Sequence, residues 1–360
     1  MSKERKSALS VNKGVEQPPI INPYIGNFYK KRGGQNLTEE DYIEGVIEGN
    51  TTILSQAITL IESSKPEHRV IAQNIISRLL PHTVKSKRIG ITGVPGAGKS
   101  TFIEAFGGLI TSKGHKLAVL AIDPSSERSK GSILGDKTRM ETLCNDKNAF
   151  IRPSPSGGSL GGVARKTRES IILCEAAGYD MIFIETVGVG QSETAVHSMS
   201  DFFLLLMLAG AGDDLQGIKR GIMEMSDLIA ITKADGANVN KATLAKSLYT
   251  SALGLFPPTC SEWKPLVVTT SSITGDGLEE VYALIEQYFE LTEKNGYYSK
   301  HRMEQASYWM YEAIQEELRN HFYENPIIAK KLKHFEKQVL KGEISSFQAA
   351  SELLNLYNNL

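Results

Sequence analysis

Gly93-Val94-Pro95-Gly96-Ala97-Gly98-Lys99-Ser100-Thr101 fits the pattern GxxxxGK[ST] without a mismatch, and it follows a strand-like apolar run at 88–92. A loop of this composition between a strand and a helix is a phosphate cradle. Its glycines let successive backbone N–H groups converge on an anion, and the helix that opens near Lys99 adds the positive end of its dipole. Lys99 is placed to neutralise β- and γ-phosphate oxygens, Ser100 to put its hydroxyl on Mg²⁺, and Thr101 to meet the α-phosphate. The same stretch also reads as a glycine-rich turn with a chance lysine, but the strand before it and the amphipathic helix after it supply the context the motif requires.

Outward from this loop, between about 86 and 298, short β-rich runs alternate with amphipathic helices. That is the pattern of a parallel sheet with right-handed crossovers. Strands are expected at 88–92, 117–122, 149–152, 181–185, 202–208, 228–232 and 266–270, several of them continuous apolar runs suited to a sheet covered on both faces. The fold class is therefore α/β: a P-loop NTPase with a mostly parallel sheet flanked by helices. Before it, 1–36 reads as an arm or leader. Thr38-Glu39-Glu40-Asp41 resembles a capping box with Asp in place of Glu, and helical patterns follow at 53–61 and 68–80. After it, helices are expected at 303–321, 326–340 and 345–356. They read either as a helical lid or, the division adopted here, as a dimerisation arm, since the sheet domain already looks complete. The regions are 1–84 (leader and helices), 85–298 (nucleotide-binding domain) and 299–360 (C-terminal helical dimerisation region).

Composition narrows the partners. Net charge is −1 with 41% hydrophobic and 22% charged residues, so there is no electrostatic footprint for nucleic acid or an anionic membrane. Small molecules and proteins remain. The three cysteines, Cys144, Cys174 and Cys260, are scattered and odd in number, which reads as buried, inert thiols in a reducing compartment. The first residues hold no apolar core of a secretory signal, and the longest apolar run, 202–209, is too short to span a bilayer. A cytoplasmic location is expected, and the Asn-x-Thr sequons at Asn36 and Asn50 then carry no weight.

Further polar segments fall at strand ends, where ligands bind in open parallel sheets. Asp123-Pro124-Ser125-Ser126 follows the second strand: the Asp123 carboxylate can meet the surroundings of Mg²⁺ or orient a water, although Asp-Pro-Ser also simply starts a turn. Glu185-Thr186-Val187-Gly188 follows the fourth, at the place of the DxxG motif of P-loop GTPases. Glu185 would reach Mg²⁺ through water and Gly188 would offer its N–H to the γ-phosphate. Beyond it Gln191 is either a water positioner or a solvated side chain. Thr232-Lys233-Ala234-Asp235 is a variant of the guanine-reading NKxD motif with Thr in place of Asn. Asp235 can accept from guanine N1–H and the exocyclic amine, and the Lys233 stem can cover the base. The loss of Asn is expected to remove a supporting bond while leaving the reading carboxylate. Adenine cannot satisfy that carboxylate, and an unpaired buried polar group rejects the wrong ligand by factors on the order of 10⁴, so the motif selects GTP and GDP over adenine nucleotides. Ser271, Ser272 and Ile273, after the seventh strand, fit a loop whose backbone contacts the guanine carbonyl. The glycine-rich segments 154–162 and 209–219 read as ordinary loops or as a binding face controlled by the nucleotide, and the basic stretch 127–139 has four basic side chains, any of which could stabilise charge in cis.

Taken together, GVPGAGKST, AIDPSS, GSILGDKTRM, RPSPSGGSLGG, ETVGVGQSE, AGDDLQGIKRGI and TKADG resemble the MeaB/ArgK/MMAA family of GTPases over most of the chain. The resemblance implies a homodimeric G-protein chaperone of a cobalamin-dependent acyl-CoA mutase, usually methylmalonyl-CoA mutase, gating cofactor loading and protecting the mutase. It also implies that the segment from Asp213 to Lys219 is a switch facing the mutase. Besides a purely structural dimer with a vestigial site, which the full set of motif residues disfavours, two rivals stand beside it. One is a kinase passing the GTP γ-phosphate to an acceptor. The other is a metal-inserting GTPase, for which the scattered histidines and the lack of a CxxC pair give no metal site.

Overall fold

A computed structural model of the chain describes residues 37–63, 65–122, 140–153, 160–186, 192–209 and 220–360. In chain order these form helices α1 (Glu39–Ile47), α2 (Thr51–Glu62) and α3 (Pro66–Leu79), then β1 (Lys87–Gly93), α4 (Lys99–Ser112), β2 (Leu117–Ile122), α5 (Glu141–Cys144) and β3 (Ala149–Arg152). Next come α6 (Leu160–Ala176), β4 (Met181–Thr186), α7 (Ser192–His197), β5 (Phe202–Leu208), α8 (Arg220–Glu224), β6 (Leu228–Thr232), α9 (Val239–Leu253) and β7 (Leu266–Thr269). Helices α10 (Leu278–Lys294), α11 (Tyr297–Glu324), α12 (Pro326–Leu340) and α13 (Ser346–Asn358) end the chain.

The expected strands pair into one sheet of seven, ordered β3-β2-β4-β1-β5-β6-β7, with every pairing parallel. Their continuous apolar runs are explained by burial on both faces. In β4, Met181 and Phe183 enter one core cluster while Ile182 and Ile184 enter the other, the period-two alternation of a strand with no wet side. Gly90 belongs to this packing: a Cβ there would stand 2.8 Å from both Phe203 Cδ2 and Ser200 Oγ, so only glycine admits the α7 segment against β1.

The N-terminal helices have no separate core. Val46, Leu54, Ile58, Ile75 and Leu79 pack into the same cluster as Ile184 and Phe203, so this region covers one face of the sheet through α6. Its first helix starts on the expected capping box: Asp41 Oδ2 accepts from Thr38 N–H at 2.7 Å, and Thr38 Oγ1 accepts from Asp41 N–H at 3.2 Å. Asn50, read above as an idle sequon, caps α2 by accepting from the N–H groups of Thr52 and Ile53. One expectation is corrected. Only Cys174 is buried, whereas Cys144, at the end of the one-turn α5, and Cys260, in the connection before β7, are exposed. Scattered spacing speaks against a disulfide framework; it says nothing about the cysteines' depth.

At the sheet's amino end the long α11 is anchored by ions. Arg302 donates from Nε to Asp201 Oδ1 at 2.5 Å and from NH2 to Asp201 Oδ2 at 2.7 Å. Arg88 donates to both carboxylate oxygens of Glu175 at 2.9 and 3.0 Å. These bidentate pairs tie α11 to β1, α6 and β5 at the edge opposite the strand ends that carry the motifs.

Candidate nucleotide site

The carboxyl ends of β1, β4, β6 and β7 bring four of the sequence segments to one edge of the sheet. At the end of β1 the chain must turn sharply under its neighbour. A Cβ on Gly93 would lie 2.4 Å from Leu206 O, and Gly96 and Gly98 adopt φ of +79° and +81°, left-handed values that favour glycine. The turn closes with Ala97 N–H donating to Val94 O at 3.1 Å. Helix α4 then begins with Gly98 as its N-cap and no side chain capping it, so the first-turn N–H groups at Lys99, Ser100 and Thr101 face outward as anion donors. Pro95 and Gly96 are exposed, and Val94 is half-buried against the apolar core.

Lys99 donates from Nζ to Gly93 O at 3.1 Å, folding its ammonium back across the loop. Burial pulls that ammonium below its ordinary range, and the carboxylates of Glu185 and Glu193 act against the shift. Both glutamates are buried, at 5% and 7% exposure. The parallel register explains Glu185, which stands opposite Ile91, two residues before the loop begins. Glu193, in the first turn of α7, was legible in the sequence only as part of a small polar loop. Nothing in its spacing showed that α7 turns it inward toward the same lysine.

The β1–β4 seam carries a further link that sequence reasoning did not anticipate. Thr92 Oγ1 and Thr186 Oγ1 lie 3.0 Å apart, both buried, joining the residue before the phosphate loop to the residue after Glu185.

At the end of β6, Thr232 Oγ1 lies 2.8 Å from Ala97 O and 3.0 Å from Met207 O. The supporting bond expected to vanish with the missing Asn is therefore present: the threonine hydroxyl itself ties β6 to the phosphate loop. Lys233 follows with φ of +56°, unusual for a residue with a side chain, and its Cε is 3.8 Å from where a Cβ on Gly98 would lie. Asp235 Oδ2 accepts from Ser271 Oγ at 2.5 Å, and Ser271 Oγ in turn accepts from the N–H groups of Ile273 and Thr274 at 3.3 and 3.2 Å. Ala234 N–H donates to Thr270 O at 3.0 Å, locking the ends of β6 and β7. Ser272 is half-buried and Ile273 is 83% exposed, on the open side of this loop. Asp123, Gly188, Gln191 and the segments 127–139, 154–159 and 210–219 lie outside the described residues.

The 93–101 loop with its lysine, two buried carboxylates and the Asp235 carboxylate held by Ser271 thus share one rim. The family profile described as "Methylmalonyl Co-A mutase-associated GTPase MeaB" matches residues 54–327, most of the chain. The chain belongs to the MeaB GTPase family. It is 45% identical to the GTPase ArgK of Escherichia coli over 288 residues, 80% of this chain and 87% of that one. To the mouse mitochondrial "Methylmalonic aciduria type A homolog" it is 45% identical over 325 residues, 88% of this chain and 78% of the relative. The crystal structure of a protein named "LAO/AO transport system kinase" superimposes with a TM-score of 0.70 at 36% identity, covering 89% of this chain and 98% of that one. This MeaB-family chain is thus a nucleotide-binding GTPase on the P-loop fold. Among the described residues, no helix is long and apolar enough to cross a membrane.

Proposed function

We propose that this MeaB-family GTPase is a cytoplasmic chaperone whose GTP cycle controls a cobalamin-dependent acyl-CoA mutase, methylmalonyl-CoA mutase by the family's description, gating cofactor loading and protecting the mutase. The observation that carries the nucleotide half is the shared rim on which the 93–101 loop, Glu185 and Asp235 meet. The family's description supports the mutase half.

In this reading the N–H groups of the loop and of α4's first turn cradle the phosphates, and Lys99 leaves Gly93 O to neutralise the β- and γ-oxygens. Asp235, oriented by Ser271, accepts from guanine N1–H and the exocyclic amine, the Lys233 stem covers the ring, and the 271–273 backbone meets the carbonyl. The donor set fits Mg²⁺, a hard cation that takes oxygen ligands: the Ser100 hydroxyl and the Glu185 carboxylate would hold it, and the ion would supply charge neutralisation at the phosphate oxygens. Asp123 and Gly188 complete the assignment, with Gly188 reporting the γ-phosphate. Water attacks the γ-phosphorus, the bond from that phosphorus to the β–γ bridging oxygen breaks, and GDP and inorganic phosphate leave. Hydrolysis relaxes the segments that depend on the γ-phosphate, and the partner reads that change.

The three-region division of the chain belongs to this reading, with 299–360 as a homodimerisation arm. Leu318, Phe322, Leu332, Phe335, Val339 and Leu353 line a groove of about 810 Å³ among α11, α12 and α13. Leu340 and Leu354 at its margin are 80% and 52% exposed. An apolar surface of this kind suits a second copy better than water.

GTP turnover with and without methylmalonyl-CoA mutase, together with co-elution on a sizing column, tests the proposal. Slow intrinsic turnover, on the order of 10⁻⁴ s⁻¹ as in unaided small GTPases, should rise on adding the mutase, and the two proteins should co-elute. Unchanged turnover and no complex would overturn it. The kinase name borne by the solved relative favours one second reading, transfer of the γ-phosphate to an acceptor. With γ-labelled GTP, label on an acceptor protein instead of free phosphate would decide for that reading.

A further inference from the structure

Thr232 occupies the place where the common guanine motif carries asparagine, and the two side chains differ in what they can donate. An asparagine has two N–H donors and one acceptor, enough to hold a backbone group and still donate to a base. A threonine hydroxyl has one proton. Here that hydroxyl lies 2.8 Å from Ala97 O and 3.0 Å from Met207 O. Both neighbours are carbonyl oxygens, so both need the proton, and no proton is left for a third acceptor. The side chain is 2% exposed, pinned beneath the phosphate loop. The backbone donor of Ala97 is committed as well, since its N–H goes to Val94 O at 3.1 Å.

In the pose proposed above, with the Watson–Crick edge of guanine on Asp235, the edge carrying N7 would face the end of β6 and the loop above it, where Thr232 and Ala97 lie. Guanine N7 is an acceptor and needs a donor to be recognised. We propose that this chain recognises guanine by its N1–H and amine edge without reading N7, so that it accepts guanine nucleotides altered at position 7, of which 7-deaza-GTP is the simplest. This deepens, and rests on, the assignment of the rim as a guanine-nucleotide site. Thr232 is then the residue that sets which base edge counts. It keeps the mechanical tie to the phosphate loop that the asparagine would make and gives up the N7 contact.

The test is a set of dissociation constants for the full chain with GTP, 7-deaza-GTP, ITP and ATP, with Mg²⁺ present. The 7-deaza analogue should bind within about threefold of GTP, whereas ITP, which lacks the exocyclic amine read by Asp235, should bind at least about tenfold more weakly, the equivalent of roughly 1.4 kcal/mol or one hydrogen bond. Thr232→Asn restores a spare donor, and it should make the protein prefer GTP over 7-deaza-GTP by about tenfold. If 7-deaza-GTP binds the wild-type chain tenfold or more weakly than GTP while ITP and ATP are also rejected, the inference about N7 fails and the guanine assignment stands. If GTP, ITP and ATP bind alike, or GTP does not bind, the guanine assignment itself fails and takes the inference with it. The wild-type series decides the matter even if the variant does not fold.

Discussion

The Thr92–Thr186 hydroxyl pair offers a quantitative check on how the phosphate loop is joined to the strand that carries Glu185. The two Oγ1 atoms are 3.0 Å apart and the residues are 2% and 0% exposed, so neither has water as an alternative partner. Thr92→Val or Thr186→Val preserves shape and leaves the opposite hydroxyl buried without its partner. Such an orphan costs roughly 1–3 kcal/mol, whereas replacing both partners by apolar groups of the same shape is nearly neutral. Each single variant should therefore lose about 1–3 kcal/mol and the double variant little, giving a coupling energy close to the sum of the two single losses, about 2–6 kcal/mol. In thermal unfolding, at about 2–4 °C per kcal/mol for a large domain, each single variant should melt roughly 2–10 °C lower and the double variant within about 3 °C of wild type. Urea titration on the same four proteins gives the coupling energy directly. Losses that simply add in the double variant would refute the claim that these two hydroxyls satisfy each other across the β1–β4 seam.

Lys99→Ala should remove two charge-assisted contacts of roughly 1.5–3 kcal/mol each, weakening GTP binding at least about 100-fold by titration calorimetry with little change in melting temperature. Arg302→Met should lower stability by about 3–5 kcal/mol in urea unfolding, because it leaves the Asp201 carboxylate, whose side chain is 2% exposed, without its charged partner and with the Arg88 N–H as its remaining donor. The pH profile should carry the mark of His197, whose imidazole burial, assisted by the nearby His301, pushes down from 6.5 to about 4. The fold favours neutral His197, so its contribution is complete above pH 6.5 and is lost as pH falls toward 4, by up to about 3 kcal/mol. His197→Gln should flatten that part of the melting-temperature profile, and an unchanged slope would exclude His197 as its source.

The strands were legible because a parallel sheet covered on both faces demands uninterrupted apolar runs, and 117–122, 181–184 and 202–208 are such runs. The phosphate loop was legible because backbone geometry dictates its residues: a Cβ on Gly93 would collide with Leu206 O, Gly96 and Gly98 take left-handed φ that favours glycine, and local constraints leave local signatures. Asp235 could be proposed as the base reader from the sequence because that role would depend on its own chemistry. What stayed hidden depends on where distant strands place a side chain. That Glu193 turns inward toward Lys99, that Thr92 finds Thr186 across a seam of 94 residues, and that Arg302 reaches back to Asp201 over 101 follow from sheet order and helix docking, which no local pattern encodes. Thr232 shows the division most clearly. The sequence by itself determined that asparagine was missing from a guanine-reading motif. Only the tertiary structure, by bringing Ala97 O and Met207 O to the threonine hydroxyl, decided that the tie to the phosphate loop survives and that its single proton is committed to those carbonyls.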